Sequence, residues 1–135
     1  MKFDREALER AMTLYAVTDR SWLKAGETLP QAVEQAILGG ATFVQLREKE
    51  LEHDAFLALA LEVGEVCRRH KVPFVINDDV QIALESGADG VHVPQSPGAP
   101  DFPGARQWCG PGPWRIYSRH RWSRWQDSWH RRWRE

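Results

Sequence analysis

Cysteine is scarce in this chain, and long apolar runs are absent from it. The two cysteines, Cys67 and Cys109, fall in a helical pattern and in a Pro/Gly loop, and no metal-ligand spacing surrounds either. That placement predicts two reduced thiols rather than a disulfide framework or a cysteine-held metal. No apolar stretch approaches the ~20 residues that a membrane span needs. The opening Met1-Lys2-Phe3-Asp4-Arg5-Glu6 is charged and has no apolar signal core. Together these absences predict a cytoplasmic protein with no membrane partner. Lysine disappears after Lys71, and acids become rare after Gln95. Up to Gln95 the acids outnumber Lys and Arg; beyond it, eight arginines face only Asp101, Asp127 and Glu135. Six of the seven tryptophans lie between Trp108 and Trp133. The net charge of −1 hides two compositions in one chain. The length of 135 residues suits one domain with one hydrophobic core.

What is present up to Val93 is a regular alternation. Residues 4–12 carry Leu8, Ala11 and Met12 at helical spacing, with Asp4 in a capping position. Leu14-Tyr15-Ala16-Val17 is an apolar run that ends in Thr18-Asp19-Arg20. A second helix opens at Thr28-Leu29-Pro30-Gln31, where Thr28 and Gln31 have capping-box spacing and Pro30 is tolerated in the first turn. Leu29, Val33, Ala36 and Ile37 form its apolar face, and Gly39-Gly40 ends it. Residues 41–46 form the next strand. Residues 54–70 form a helix with Arg68, Arg69 and His70 in its last turn, where cations complement the helix dipole. A strand over 72–76 ends in Asn77-Asp78-Asp79; a short helix over 80–86 closes at Gly87; a fourth strand covers 90–93. Strands that are continuous apolar runs, separated by helices, predict a parallel α/β sheet. Polar residues gather after each strand, as on the catalytic face of a (β/α)₈ barrel.

One stretch concentrates the chemistry. In Gln45-Leu46-Arg47-Glu48-Lys49 an amide and two cations alternate, so in extended chain Gln45, Arg47 and Lys49 share a side. Such a set suits an anionic ligand, and phosphate is the usual one.

Four segments carry a resemblance. Leu14-Tyr15-Ala16-Val17-Thr18-Asp19, residues 45–49, Ile76-Asn77-Asp78-Asp79 and Gly87-Ala88-Asp89-Gly90-Val91-His92-Val93 stand in the order and spacing of the thiamine phosphate synthase family. The region that resembles this family runs from about residue 12 to residue 96. The resemblance implies a TIM (β/α)₈ barrel and a transferase of thiamine biosynthesis. It implies condensation of hydroxymethylpyrimidine diphosphate with hydroxyethylthiazole phosphate to give thiamine phosphate and pyrophosphate, dependent on Mg²⁺. It assigns Gln45, Leu46, Arg47, Glu48, Lys49 and Asn77 to substrate binding and Asp78 to magnesium. Chemistry agrees: Arg47 and Lys49 can stabilise the leaving pyrophosphate as catalytic groups. Asp78 suits Mg²⁺, and Gln45 and Asn77 suit a pyrimidine edge.

The chain also departs from the family pattern. A second magnesium Asp is expected in a Gly-Gln-x-Asp run after the fourth strand, but Pro94-Gln95-Ser96-Pro97 stands there. The later Ser, Lys and glycine-rich phosphate loop have no counterpart. A complete barrel takes eight strands and ~250 residues; four strands are legible by Val93. Residues 1–96 therefore read as the N-terminal half of a barrel. Residues 97–135 read as an irregular tail, rich in Pro and Gly and then in Trp and Arg, disordered or translated in a shifted frame. The resulting expectation is a chain inactive or nearly so, with unpaired strand edges that favour self-association.

Blander readings stand beside these. The cations of residues 45–49 also fit a charged loop, Asp78 and Asp79 a helix cap, and Asp19 and Arg20 a surface turn. His92 reads as a strand histidine with a hydrogen-bond partner rather than a metal ligand. The Trp/Arg tail also fits single-strand nucleic-acid binding through phosphate contact and stacking, although nucleic acid is not the expected partner. A thiazole tautomerase-like barrel is a further alternative, against which the joint presence of residues 45–49 and Asn77-Asp78 speaks.

Overall fold

The computed structural model of the chain describes residues 5–94 and 114–118. Four strands run parallel in the order β1 (Tyr15–Val17), β2 (Phe43–Leu46), β3 (Phe74–Asn77) and β4 (Gly90–Pro94). Helix α1 (Arg5–Ala11) precedes them, and α2 (Leu29–Leu38), α3 (His53–Arg69) and α4 (Val80–Ser86) connect them in turn. The chain thus folds as the first βα units of a (β/α)₈-type barrel.

Local chemistry accounts for the boundaries. At α2 the capping box is complete: Thr28 N–H donates to Gln31 Oε1 at 3.0 Å, and Gln31 N–H donates to Thr28 Oγ1 at 3.4 Å. Helix α4 starts at Asp79, whose carboxylate accepts from Ile82 N–H at 2.9 Å, and stops at Gly87 with φ 72°. Asp4, the capping residue expected for α1, lies outside the described residues.

Successive strand residues feed two different cores. Val44, Leu46, Phe74, Ile76, Val91 and Val93 face the helices and join Val33, Phe56, Ala60 and Val63 in the main cluster. Gly64 of α3 lets Phe74 approach closely: a Cβ built on it would stand 3.2 Å from the ring. Phe43 and Val75 face the other way, where Ile116, Ala11, Met12 and Tyr15 meet them. The Tyr15 and Phe43 rings stack with centroids 4.8 Å apart.

Two elements were not foreseen in the sequence. A 3-10 turn, Arg20–Trp22, follows β1. The irregular tail contains a strand, β5 (Trp114–Ser118), which pairs antiparallel with β4 in the register His92 to Ile116. The segment Trp-Arg-Ile-Tyr-Ser is rich in residues that favour strands, and an open sheet edge offers them a ladder. A strand in that direction is not the fifth strand of a (β/α)₈ barrel, whose strands are all parallel. The rest of the tail, including Pro97, Asp101 and all six of its tryptophans but Trp114, lies outside the described residues.

Candidate active site

The C-terminal ends of β1, β2 and β3 bring the predicted site residues to one rim. Strand β2 delivers Gln45 and Leu46 within the sheet, and its ladder pairing ends at Leu46. Of the alternating Gln45, Arg47 and Lys49, only Gln45 lies within the strand. Gln45 is 3% exposed, on the face shared with Phe43, and its amide Nε2 donates to the Tyr15 hydroxyl. Leu46 faces the helices and belongs to the core. Arg47 and Lys49 are exposed in the loop, and neither side chain has a hydrogen bond or ion pair with a described residue.

The ends of β1 and β2 are laced together. Thr18 N–H donates to the Gln45 carbonyl at 3.0 Å. Arg47 N–H donates to Thr18 Oγ1 at 2.9 Å. Arg20 Nε donates to Glu48 Oε1 at 2.9 Å. Asp19 and Arg20 do form a turn at the surface, as one reading expected. Within it, Asp19 accepts from Ser21 N–H at 2.9 Å and Ser21 Oγ at 2.7 Å. Those two bonds, and after them the nearby charges of Arg47 and Lys49, hold the Asp19 carboxyl below its ordinary range.

At the end of β3 the two aspartates divide their roles. Asp79 caps α4. Asp78 does not cap; it takes left-handed backbone with φ 62°, and its N–H donates to the His92 carbonyl at 2.7 Å. Its exposed carboxylate has no hydrogen bond to a described residue. The neighbouring Asn77 Oδ1 lies 3.2 Å from His92 Nδ1. That bond needs the proton on Nδ1 and leaves the Asn77 amide N–H groups to donate elsewhere. Burial pushes the His92 imidazole below its ordinary value, partly offset by the Asp78 charge. His92 is thus a half-buried strand histidine with a side-chain partner, as its position in the sequence led us to expect.

As a test of fit for magnesium, the donor set is thin. Among the described residues no group of three or more His, Cys, Asp or Glu is placed to hold a metal. Mg²⁺ often binds through one or two carboxylates and completes its shell with substrate phosphates and water. Asp78 fits that mode and no richer one. A groove of about 470 Å³ lies beside the rim between β1, β2 and α2. Ala16, Val33, Ala36 and Val44 supply apolar walls, with Asp19 and Arg47 at its polar edge.

The Tyr15–Gln45 and Arg20–Glu48 pairs, and Asn77 as the partner of His92, are what sequence reading missed. Each depends on which strands lie side by side, and no local spacing signals that.

Strand order and the polar rim define a (β/α)₈-type fold, and comparison narrows the class. The family model for thiamine monophosphate synthase matches residues 14–114, and the chain belongs to that family. A thiamine-phosphate synthase of Caldanaerobacter subterraneus is 54% identical over 81 residues, 60% of this chain and 37% of that protein. Its counterpart in Clostridium novyi is 52% identical over 83 residues, 62% of this chain and 40% of that protein. The solved thiamine phosphate pyrophosphorylase from Pyrococcus furiosus superposes with a TM-score of 0.57 at 30% identity, covering 62% of this chain and 40% of that one. The chain therefore spans less than half the length of these relatives. No helix among the described residues is long and apolar enough to cross a membrane.

Proposed function

We propose that this chain carries the pyrimidine-diphosphate half of a thiamine phosphate synthase site. The observation that supports it most is the pair of exposed cations, Arg47 and Lys49, without a side-chain hydrogen bond or ion pair among the described residues, beside the Asn77-Asp78 strand end. In the reaction, the bond from the pyrimidine methylene to the diphosphate oxygen breaks, and a bond to the thiazole nitrogen forms. Pyrophosphate leaves with the electron pair. Arg47 donates to its oxygens through a guanidinium fork, and Lys49 adds a point charge. Gln45, fixed by Tyr15, and Asn77, fixed by His92, address the pyrimidine edge. Leu46 and Glu48 hold the segment in place from inside the fold. Asp78 would hold Mg²⁺, which supplies further neutralisation of the diphosphate.

Turnover is another matter. Pro97 replaces the second expected metal ligand, and antiparallel β5 takes the edge of β4 where a parallel fifth strand belongs. The chain alone thus binds one substrate and does not complete the reaction. We place it in the cytoplasm, with self-association through its sheet edges and without a nucleic-acid partner. Its composition after Gln95 is that of a shifted reading frame, testable in the gene around codons 93–110. Calorimetric titration with the pyrimidine diphosphate and Mg²⁺ tests the site: binding is expected in the wild type and lost in Arg47→Ala. No binding by the wild type refutes the site. Product formation from both substrates at ~1 s⁻¹ or faster refutes the inactivity.

A further inference from the structure

We propose that Glu48 is a positioning residue: paired with Arg20, it latches the turn after β1 onto the loop after β2 and so sets where Arg47 and Lys49 stand. The inference rests on reading those two cations as the anion site. Its starting point is a contrast within three consecutive residues. Arg47 and Lys49 are exposed, whereas the Glu48 side chain is only 5% exposed. A carboxylate that deep does not reach out to a ligand, and one aimed at a diphosphate would repel it. It turns instead to Arg20 Nε at 2.9 Å. Leaving a nearly buried carboxylate unpaired is costly, so the pair holds its loop closed.

The latch does not act alone. Thr18 bonds to the backbone of both Gln45 and Arg47, and Asp19 stands close enough to Arg47 and Lys49 to feel their charge. Residues 18–20 thus meet residues 45–49 at consecutive points, with Arg20–Glu48 as the outermost. Because Arg20 and Glu48 cancel, the buried carboxylate takes little from the attraction of the two cations for an anion. Preset geometry then spares the ligand the cost of ordering the loop.

Charge and positioning predict opposite signs, which makes the test decisive. Removing a negative charge by Glu48→Gln strengthens anion binding if only Coulomb attraction matters. If the latch matters, it weakens binding. The full chain is titrated calorimetrically with inorganic pyrophosphate and Mg²⁺, and amide exchange is followed over residues 18–23 and 47–49. Glu48→Gln and Arg20→Gln are both expected to weaken binding about tenfold, the scale on which an orienting partner acts, and to speed exchange in both segments. Arg20→Lys keeps the charge and stays close to wild type, and Arg68→Gln, on a remote exposed pair, changes neither reading. Arg20 is half exposed, so its variants test the latch even where Glu48→Gln fails to fold. Unchanged or tighter binding in Glu48→Gln, or equal weakening in Arg68→Gln, overturns the proposal. Absence of pyrophosphate binding in the wild type would instead defeat the anion-site reading. Exchange then decides the latch by itself: faster exchange in both Gln variants supports it, and unchanged exchange overturns it.

Discussion

The two faces of the sheet differ in what they are made of. Toward the helices, β2, β3 and β4 present only apolar residues, from Val44 to Val93, and all are buried. The opposite face begins apolar, with Tyr15, Phe43 and Val75, and turns polar toward the strand ends at Gln45, Asn77 and His92. One face serves cohesion throughout. The other divides along its length, cohesion at the base and hydrogen-bonded polar groups toward the rim. This difference explains why continuous apolar runs in the sequence mark the strands, while the polar residues that follow them mark the chemical end.

Neighbouring residues on β3 test the comparison most strongly. Ile76 and Val75 are both fully buried, on opposite faces. Ile76→Ala should cost ~2–5 kcal/mol in chemical denaturation. Val75→Ala should cost ~2 kcal/mol, the loss of its methyl groups plus the cavity left behind. A negligible cost for Val75→Ala would mean that the second face is no packed core. Next comes Gly64→Ala, which puts a methyl 3.2 Å from the Phe74 ring. An alanine ordinarily favours a helix by up to ~1 kcal/mol over glycine. Here overpacking at ~1–3 kcal/mol should win, and a raised melting temperature would show that α3 is not tightly seated on β3.

At the rim the expected stability effects shrink while those on binding grow. Gln45→Leu removes the donor to the hydroxyl of Tyr15, a half-buried residue. Its denaturation midpoint should move by no more than ~1 kcal/mol equivalent, while pyrimidine-diphosphate binding disappears. Retained binding would remove Gln45 from the site. The smallest effect is a pH dependence. The folded state holds His92 below its ordinary value of 6.5, so the unfolded chain takes up a proton first as pH falls. Stability present above that value should decline as pH drops through it. The decline should be shallower in His92→Gln, and identical slopes would show that the imidazole is not buried in the folded state.

Much of this molecule was legible in its sequence because its signals are local. The capping pair Thr28 and Gln31, the stop at Gly87 and the apolar spacing of α3 each act within one or two turns. What escaped notice is non-local. Strand β5 exists because Ile116 finds a place beside Phe43 and Val75, about forty residues and more away along the chain. The Arg20–Glu48 pair joins residues 28 apart. The spacing of Gln45, Arg47 and Lys49 suggested one shared side, but not that the ladder of β2 ends at Leu46, with Gln45 buried and the two cations exposed beyond it.

Asp78 holds a left-handed backbone, with φ 62°, that glycine would occupy at less cost. Asp78→Gly should therefore relax the chain at the end of β3 while deleting the carboxylate proposed to hold Mg²⁺. A library of variants screened only for thermal resistance would drift toward that glycine and lose the site without any sign of damage in a melting curve. For anyone engineering a sturdier version of this half-barrel, residue 78 is the position at which stability is a misleading guide to function.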